Sequence, residues 1–479
     1  MKKDNFLYQT IAQQLEEGIL NQVLKSGDKL PSVRVLSKQR GVSPSTVFQA
    51  YYQLEAKGLV EARPKSGYYV RFKLPVPEPE PKPKAKQTPA DPQVINTHRI
   101  IDELVELRDL DNVLRLSTAL PSLSLMPSAR LNKSIIEAIR KEKNNLLNYT
   151  PTQGNYKLRS AIARQLLNWS GPFLPEDVVI TNGCMEALNL CLRTLVKPSD
   201  VIVMDQLSYF GIHQAVESLG LKVVPIPSKA PCGLDLNLLR EALDQHPVKA
   251  ALFVMNFHNP TGSVVPDQAK KELVQLLKKY EVPLIEDDLY GELYFGKARP
   301  STCKQYDEDG LVLYCSSFSK TLVAGYRVGY CVPGRFKEAL TRQKRIENVS
   351  TSSLSQAALL HFLQKGRYNY HLRKLRNALH TQALRYAQCI QEHFPAGTRF
   401  CHPNGGIVLW IALPEHCSGY ELFRQAKDQQ ISVAPGQIFS LNGGFENYIR
   451  LSFSEPFDEK VEQALQKLGT IATSIAKDS

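Results

Sequence analysis

Leu311-Val312-Leu313-Tyr314-Cys315 runs directly into Ser316-Ser317-Phe318-Ser319-Lys320-Thr321, and Arg327 follows seven residues past the lysine. A short apolar run that stops at a polar loop reads as a strand buried in a sheet. Taken alone, Lys320 reads more often as a solvated surface lysine. Four runs upstream have the same form, at 178–181, 201–204, 250–255 and 283–286. Helical stretches separate them, and alternating β and α elements predict a mostly parallel sheet covered by helices. Ligands of such sheets bind beyond the carboxyl ends of the strands. The residues just past each run are therefore the candidates.

The first run leads into Thr181-Asn182-Gly183-Cys184-Met185-Glu186-Ala187-Leu188, a glycine loop opening a helix whose N–H groups can hold a phosphate. Tyr209-Phe210-Gly211 follows the second run and offers rings to stack on a flat ligand. His258-Asn259-Pro260-Thr261-Gly262 follows the third; Asp287, with Tyr290 three residues on, follows the fourth. Each has a plainer reading: Tyr209 as core, Asn259-Pro260 as a turn, Asp287-Asp288 as a magnesium site. Together, each at a strand end, they meet the needs of pyridoxal phosphate. That cofactor requires a lysine for its Schiff base and a carboxylate to keep its ring nitrogen protonated. It also requires donors at the phenolic oxygen, a ring over its face and a phosphate cup with an arginine.

Upstream, residues 75–92 read PVPEPEPKPKAKQTPADP, with seven prolines and alternating charges. Such a segment cannot form a core and runs as an extended spacer of about 3 Å per residue. A chain of 479 residues is also too long for one ordinary core. The expected division is a DNA-binding domain over 1–73, a linker over 74–100 and a body over 101–479.

In the first segment Leu7, Ile11, Leu15 and Ile19 recur every four residues, giving one apolar helix face. A second short helix ends near Gly41. Ser43 then reads as an N-cap with Pro44 at the first helical position. Val47, Ala50, Tyr51 and Leu54 form the buried stripe of that third helix. Two short strands, 59–63 and 68–72, surround Pro64-Lys65-Ser66-Gly67. This order predicts a winged helix-turn-helix (α+β) whose capped helix enters the major groove. Ser43, Ser45, Thr46 and Gln49 are the candidates for base edges, and Arg34, Arg63 and Lys65, with Gly67 in the wing, for the backbone. A three-helix protein-interaction module is the plainer alternative.

Charge favours the DNA reading. Residues 1–73 hold 12 Lys/Arg against 6 Asp/Glu, half of the net +12 of the chain. The apolar and charged fractions, 43% and 22%, are those of a soluble globular protein. No apolar run approaches a membrane span and the N-terminus is not a signal peptide, so a cytoplasmic location without membrane contact is expected. Nine scattered cysteines without a C-x-x-C pair read as buried free thiols, with no metal site expected.

Residues 6–72 resemble the DNA-binding domain of the GntR family of bacterial regulators. The match is carried by Gly27-Asp28-Lys29-Leu30-Pro31-Ser32-Val33-Arg34, Gly41-Val42-Ser43, Thr46-Val47, Tyr51-Tyr52-Gln53-Leu54-Glu55, Gly58-Leu59 and Ser66-Gly67. Pro44 stands where many members have an arginine, so one DNA contact common in that family is missing.

Residues 110–475 resemble the fold-type I (class I/II) aminotransferases, an α/β fold with a large domain and a smaller C-terminal subdomain. The resemblance implies pyridoxal 5'-phosphate, with Lys320 as the Schiff-base lysine and Asp287 as partner of the pyridinium. Asn259 and Tyr290 are similar to the groups on the phenolic oxygen, and Tyr209 to the stacking ring. Gly183, Cys184, Met185, Ser317 and Arg327 resemble the phosphate cup. Arg450, in Tyr448-Ile449-Arg450-Leu451-Ser452-Phe453, resembles the arginine that grips an α-carboxylate. Tyr149, in Asn148-Tyr149-Thr150-Pro151-Thr152-Gln153-Gly154, resembles the tyrosine that reaches the partner subunit's phosphate, which implies a homodimer. Two departures stand out. Ala119-Leu120-Pro121 has alanine where glycine is usual, which crowds the carboxylate pocket. Cys184 replaces a frequent small hydroxyl residue.

Joined, the two halves resemble the MocR subfamily of GntR-type regulators. That implies a transcription regulator, binding promoter DNA and sensing an amino compound or the cofactor itself. The alternative is a working aminotransferase with an appended DNA-binding domain.

Overall fold

The computed structural model describes residues 7–478 except 21, 22, 26, 57, 58, 64, 65, 72–97, 111, 168 and 230–232. Lys65 and most of the expected linker thus lie outside the described residues.

The chain opens with α1 (Leu7–Leu20), α2 (Val33–Arg40) and α3 (Pro44–Ala56), then the antiparallel hairpin of β1 (Val60–Arg63) and β2 (Gly67–Val70). Ser32 caps α2 by accepting from the Val35 N–H, and Gly41 ends it at φ 63°. Ser43 Oγ accepts from the Thr46 N–H, so α3 starts at Pro44, where the missing N–H costs nothing. Val47, Ala50, Tyr51 and Leu54 are fully buried. Along α1, Ile11 and Ile19 are buried and Leu15 is half-buried, but Leu7, at the start of the helix, is 64% exposed. Leu384, from the body, completes the buried cluster of this domain.

The body begins with α4 (His98–Asp109) and α5 (Ser128–Glu142). Its main sheet comprises β3 (Val179–Thr181), β4 (Val201–Asp205), β5 (Lys222–Ile226), β6 (Val248–Phe253), β7 (Leu284–Asp287), β8 (Val312–Ser317) and β9 (Gly329–Val332). The order is β3-β9-β8-β7-β6-β4-β5. Only β9 runs against its neighbours. The runs at the five anticipated places are strands, whereas β5 and β9 were not anticipated. Helices α6 (Cys184–Leu195) and α7 (Phe210–Ser218) leave the ends of β3 and β4.

A long helix, α8 (Arg367–His393), leads to an antiparallel sheet of β10 (Arg399–Phe400), β11 (Val408–Ala412), β12 (Ala434–Pro435) and β13 (Tyr448–Ser452). Ile101, Leu104 and Leu107 of α4 share its core, with Trp410 stacked on Tyr448 at 5.1 Å and with Leu465 and Leu468 of α9 (Glu459–Asp478). Among the described residues no helix is long and apolar enough to cross a membrane. Seven of the eight described cysteines are buried, all are free, and the sulfurs of Cys191, Cys315 and Cys331 meet at 3.6–3.8 Å.

Candidate cofactor and effector site

The carboxyl ends of β3, β4, β7 and β8 open into one cavity of about 450 Å³. Its lining includes Cys184, Met185, Tyr209, Asn259, Asp287, Tyr290, Ser317, Lys320, Arg327 and Arg450. Cys184 and Arg450, 266 positions apart in the chain, thus face the same space: the parallel sheet delivers its strand ends to one edge, and β13 of the smaller antiparallel sheet brings Arg450 against that edge.

Asp287, the last residue of β7, is buried and takes a 3.4 Å contact from the Cys184 thiol. Burial pushes its carboxyl up to about 6, and a cationic ring N–H beside it would hold it ionised. Asp288 leaves the backbone on the opposite side. It accepts from Asn256 Nδ2 at 3.0 Å, from the Tyr314 hydroxyl at 2.7 Å and from Arg299. The two carboxylates therefore do not converge, which removes the magnesium reading.

Lys320 Nζ lies 6.0 Å from the centre of the Tyr290 ring and donates to the Ala119 carbonyl at 2.7 Å. Desolvation and the nearby Arg450 cation lower its ammonium to about 8. Burial likewise raises the Tyr290 phenol and lowers the Arg450 guanidinium to about 10. Arg450, on β13, donates one Nη2 bond to the Ser117 carbonyl; its buried Nε and Nη1 have no partner among the described residues. The Asn259 amide oxygen and the Ser319 hydroxyl are also buried without one.

Gly183 precedes α6 at φ 81°, and a Cβ there would stand 2.6 Å from Arg327 Nη2. Only glycine lets the arginine lie across the helix N-terminus, where unpaired N–H groups favour an anion. Arg327 is itself held at φ 52° and donates to the Asn182 carbonyl at 3.1 Å. Tyr149 is the exception: it is 84% exposed, outside this chain's own cavity. The donor set fits pyridoxal phosphate, with an amine, a buried carboxylate, an arginine at a helix N-terminus and orphaned amide and guanidinium groups.

Sequence reasoning missed part of the wall. Leu104 and Val105 of α4, with Ser117 and Thr118, also line the cavity, next to Ala119 and Leu120 of the stretch that the sequence placed at the carboxylate pocket. The spacing of Ile101, Leu104 and Val105 is a readable helical signal.

On the other domain, Arg34, Ser43, Ser45 and Gln49 are exposed, with Thr46 half-buried. The Ser43 hydroxyl lies 2.7 Å from Ser45 Oγ and 2.8 Å from Thr46 Oγ1. Arg63 is engaged by Glu61 at 2.7 Å and lies over the Tyr69 ring at 4.4 Å; Gly67 is exposed beside it.

Comparison with known proteins agrees with this geometry. The family of aminotransferases class I and II matches residues 113–468, and the bacterial regulatory proteins of the gntR family match residues 7–70. A helix-turn-helix fused to a fold-type I aminotransferase body defines a class of regulator. The chain belongs to that class, the MocR subfamily of GntR-family transcription regulators. It is similar to the uncharacterized HTH-type transcriptional regulator YdcR of Escherichia coli (strain K12), 38% identical over 97% of this chain and 98% of that one. The 2-aminoadipate transaminase of Thermus thermophilus is 31% identical over 77% and 92%. Among solved structures, LysN, an α-aminoadipate aminotransferase from Thermus thermophilus complexed with N-(5'-phosphopyridoxyl)-L-leucine, aligns with TM-score 0.74 at 28% identity. The alignment covers 80% of this chain and 96% of that one.

Proposed function

We propose that the chain binds operator DNA through its winged helix, holds pyridoxal phosphate on Lys320, and changes its DNA affinity when an amino compound enters the cavity. The observation that carries this reading is the convergence of Lys320, Asp287, Asn259, Tyr290, Arg327 and Arg450 on one cavity in a chain whose α3 also presents an exposed polar face. When bound, the cofactor supplies an electron sink at its ring. Asp287 holds the proton at the ring nitrogen, Arg327 and the start of α6 take the phosphate, and Arg450 orients a carboxylate through Nε and Nη1. Ser45, Thr46 and Gln49 read base edges while Arg34 and Arg63 fix the register on the backbone.

The protein works as a homodimer in the cytoplasm, where its DNA is. Exposed Tyr149 and Leu147, with Ile136 and Ile139 on α5, support the dimer. Tyr149 then serves the partner's phosphate. Footprinting of the upstream intergenic region, with and without cofactor and candidate amines, tests the reading. Protection that never responds to either defeats it. The intact Arg450 favours a second reading, a working aminotransferase, for which turnover of roughly 1 s⁻¹ or more with amino donors and 2-oxo acids would decide.

A further inference from the structure

We propose that the effector is a neutral amino acid with an apolar side chain, and that α4, the first helix after the linker, reads that side chain. This rests on the cofactor reading above and narrows it. The charged side chains among the described residues of the cavity wall are Asp287, Lys320, Arg327 and Arg450. The first three face the cofactor and the fourth suits an α-carboxylate, so this chain leaves none for a charge on the effector's side chain. The rest of the wall is largely apolar, with Leu104 and Val105 from α4, Leu120, Phe210, Ile212 and Leu289. A second carboxylate or an ammonium there would be stripped of water without a counter-charge, whereas each buried methylene raises affinity about fourfold.

The same helix is placed to report occupancy. Ile101 and Leu107 root α4 in the core of the smaller domain, while half-buried Val105 meets the cavity. His98, its first residue, is where the tether from the DNA reader arrives. A side chain pressing on Val105 therefore acts on the element to which that tether is joined. Two states of α4 with different effector contacts are all that coupling requires.

The test uses the full-length, cofactor-loaded protein. L-leucine, L-phenylalanine, L-glutamate and L-lysine are titrated against the cofactor absorbance, and against anisotropy of a labelled upstream DNA fragment. Leucine and phenylalanine are expected to act at concentrations at least tenfold below glutamate and lysine. Val105→Arg is expected to shift the leucine-to-glutamate preference at least tenfold toward glutamate, read as a ratio within the variant. Val105→Ala, which folds with less risk, weakens leucine severalfold and glutamate little. Equal or better response to glutamate or lysine overturns the inference, as does an unchanged ratio in both variants or an absorbance that no amino acid moves. A protein with no cofactor band at all fails the underlying reading instead, so the two failures are distinguishable.

Discussion

Lys320 and Ala119, 201 residues apart, are joined by a 2.7 Å hydrogen bond from Nζ to the Ala119 carbonyl. Arg450 holds the Ser117 carbonyl two residues upstream, so both cations grip one short segment just after α4. With its ammonium lowered from 10.5 to about 8, Lys320 carries a reactive neutral amine at lower pH than a free lysine. The rate of cofactor loading should therefore rise with pH and level off above about 8. An exposed lysine would keep gaining to about 10.4. A climb that continues past pH 10 in stopped-flow absorbance would contradict the assigned environment.

Lys320→Ala should abolish borohydride-trappable attachment of the cofactor, read by intact mass. Fold stability should change by no more than about 1 kcal/mol, since the mutation also removes a desolvated cation at a functional site. A thermal melt checks the second half. DNA binding without effector should survive, because the winged helix lies in a separate domain.

Gly183→Ala places a methyl against Arg327 Nη2 in a backbone region that L-residues avoid. Strain of about 1–3 kcal/mol is expected. It should appear as weaker cofactor retention on dialysis and a lower urea midpoint. Retention equal to wild type would mean that Arg327 is free to move and does not define the phosphate cup.

Arg34→Ala and Gln49→Ala should fail in different ways. Loss of a phosphate contact weakens all sequences alike and lowers the salt slope by about 1, whereas loss of a base contact costs about 1–3 kcal/mol and relaxes one operator position. Salt titrations on matched and scrambled fragments separate the two. If both variants lose only non-specific affinity, α3 does not read bases through Gln49.

Much of the cradle was legible because parallel strands announce themselves as apolar runs and bring the loops after them to one edge. Asp287, Asn259 and Lys320 could be found that way. Strand β9 could not, since Gly-Tyr-Cys-Val (Gly329–Val332) is brief and opens on a glycine. The Ala119 and Ser117 carbonyls were invisible for a different reason: every residue has one, and only the fold chooses which is used. Helix α4 fell between the spacer and the point near residue 110 where alternation was read to begin. The meeting of Cys191 with Cys315 and Cys331 joins residues 124 and 140 positions apart, which no local spacing rule detects.

Leu384 belongs by sequence to α8 of the body and by packing to the winged helix. A foreign reader grafted onto this body would leave that leucine facing water unless it brought a matching hollow. The winged helix cut away from its body would, in turn, bare the apolar spot that Leu384 fills. Lineages that trade DNA-reading modules between regulators must therefore carry this contact along, or redesign both sides of it together.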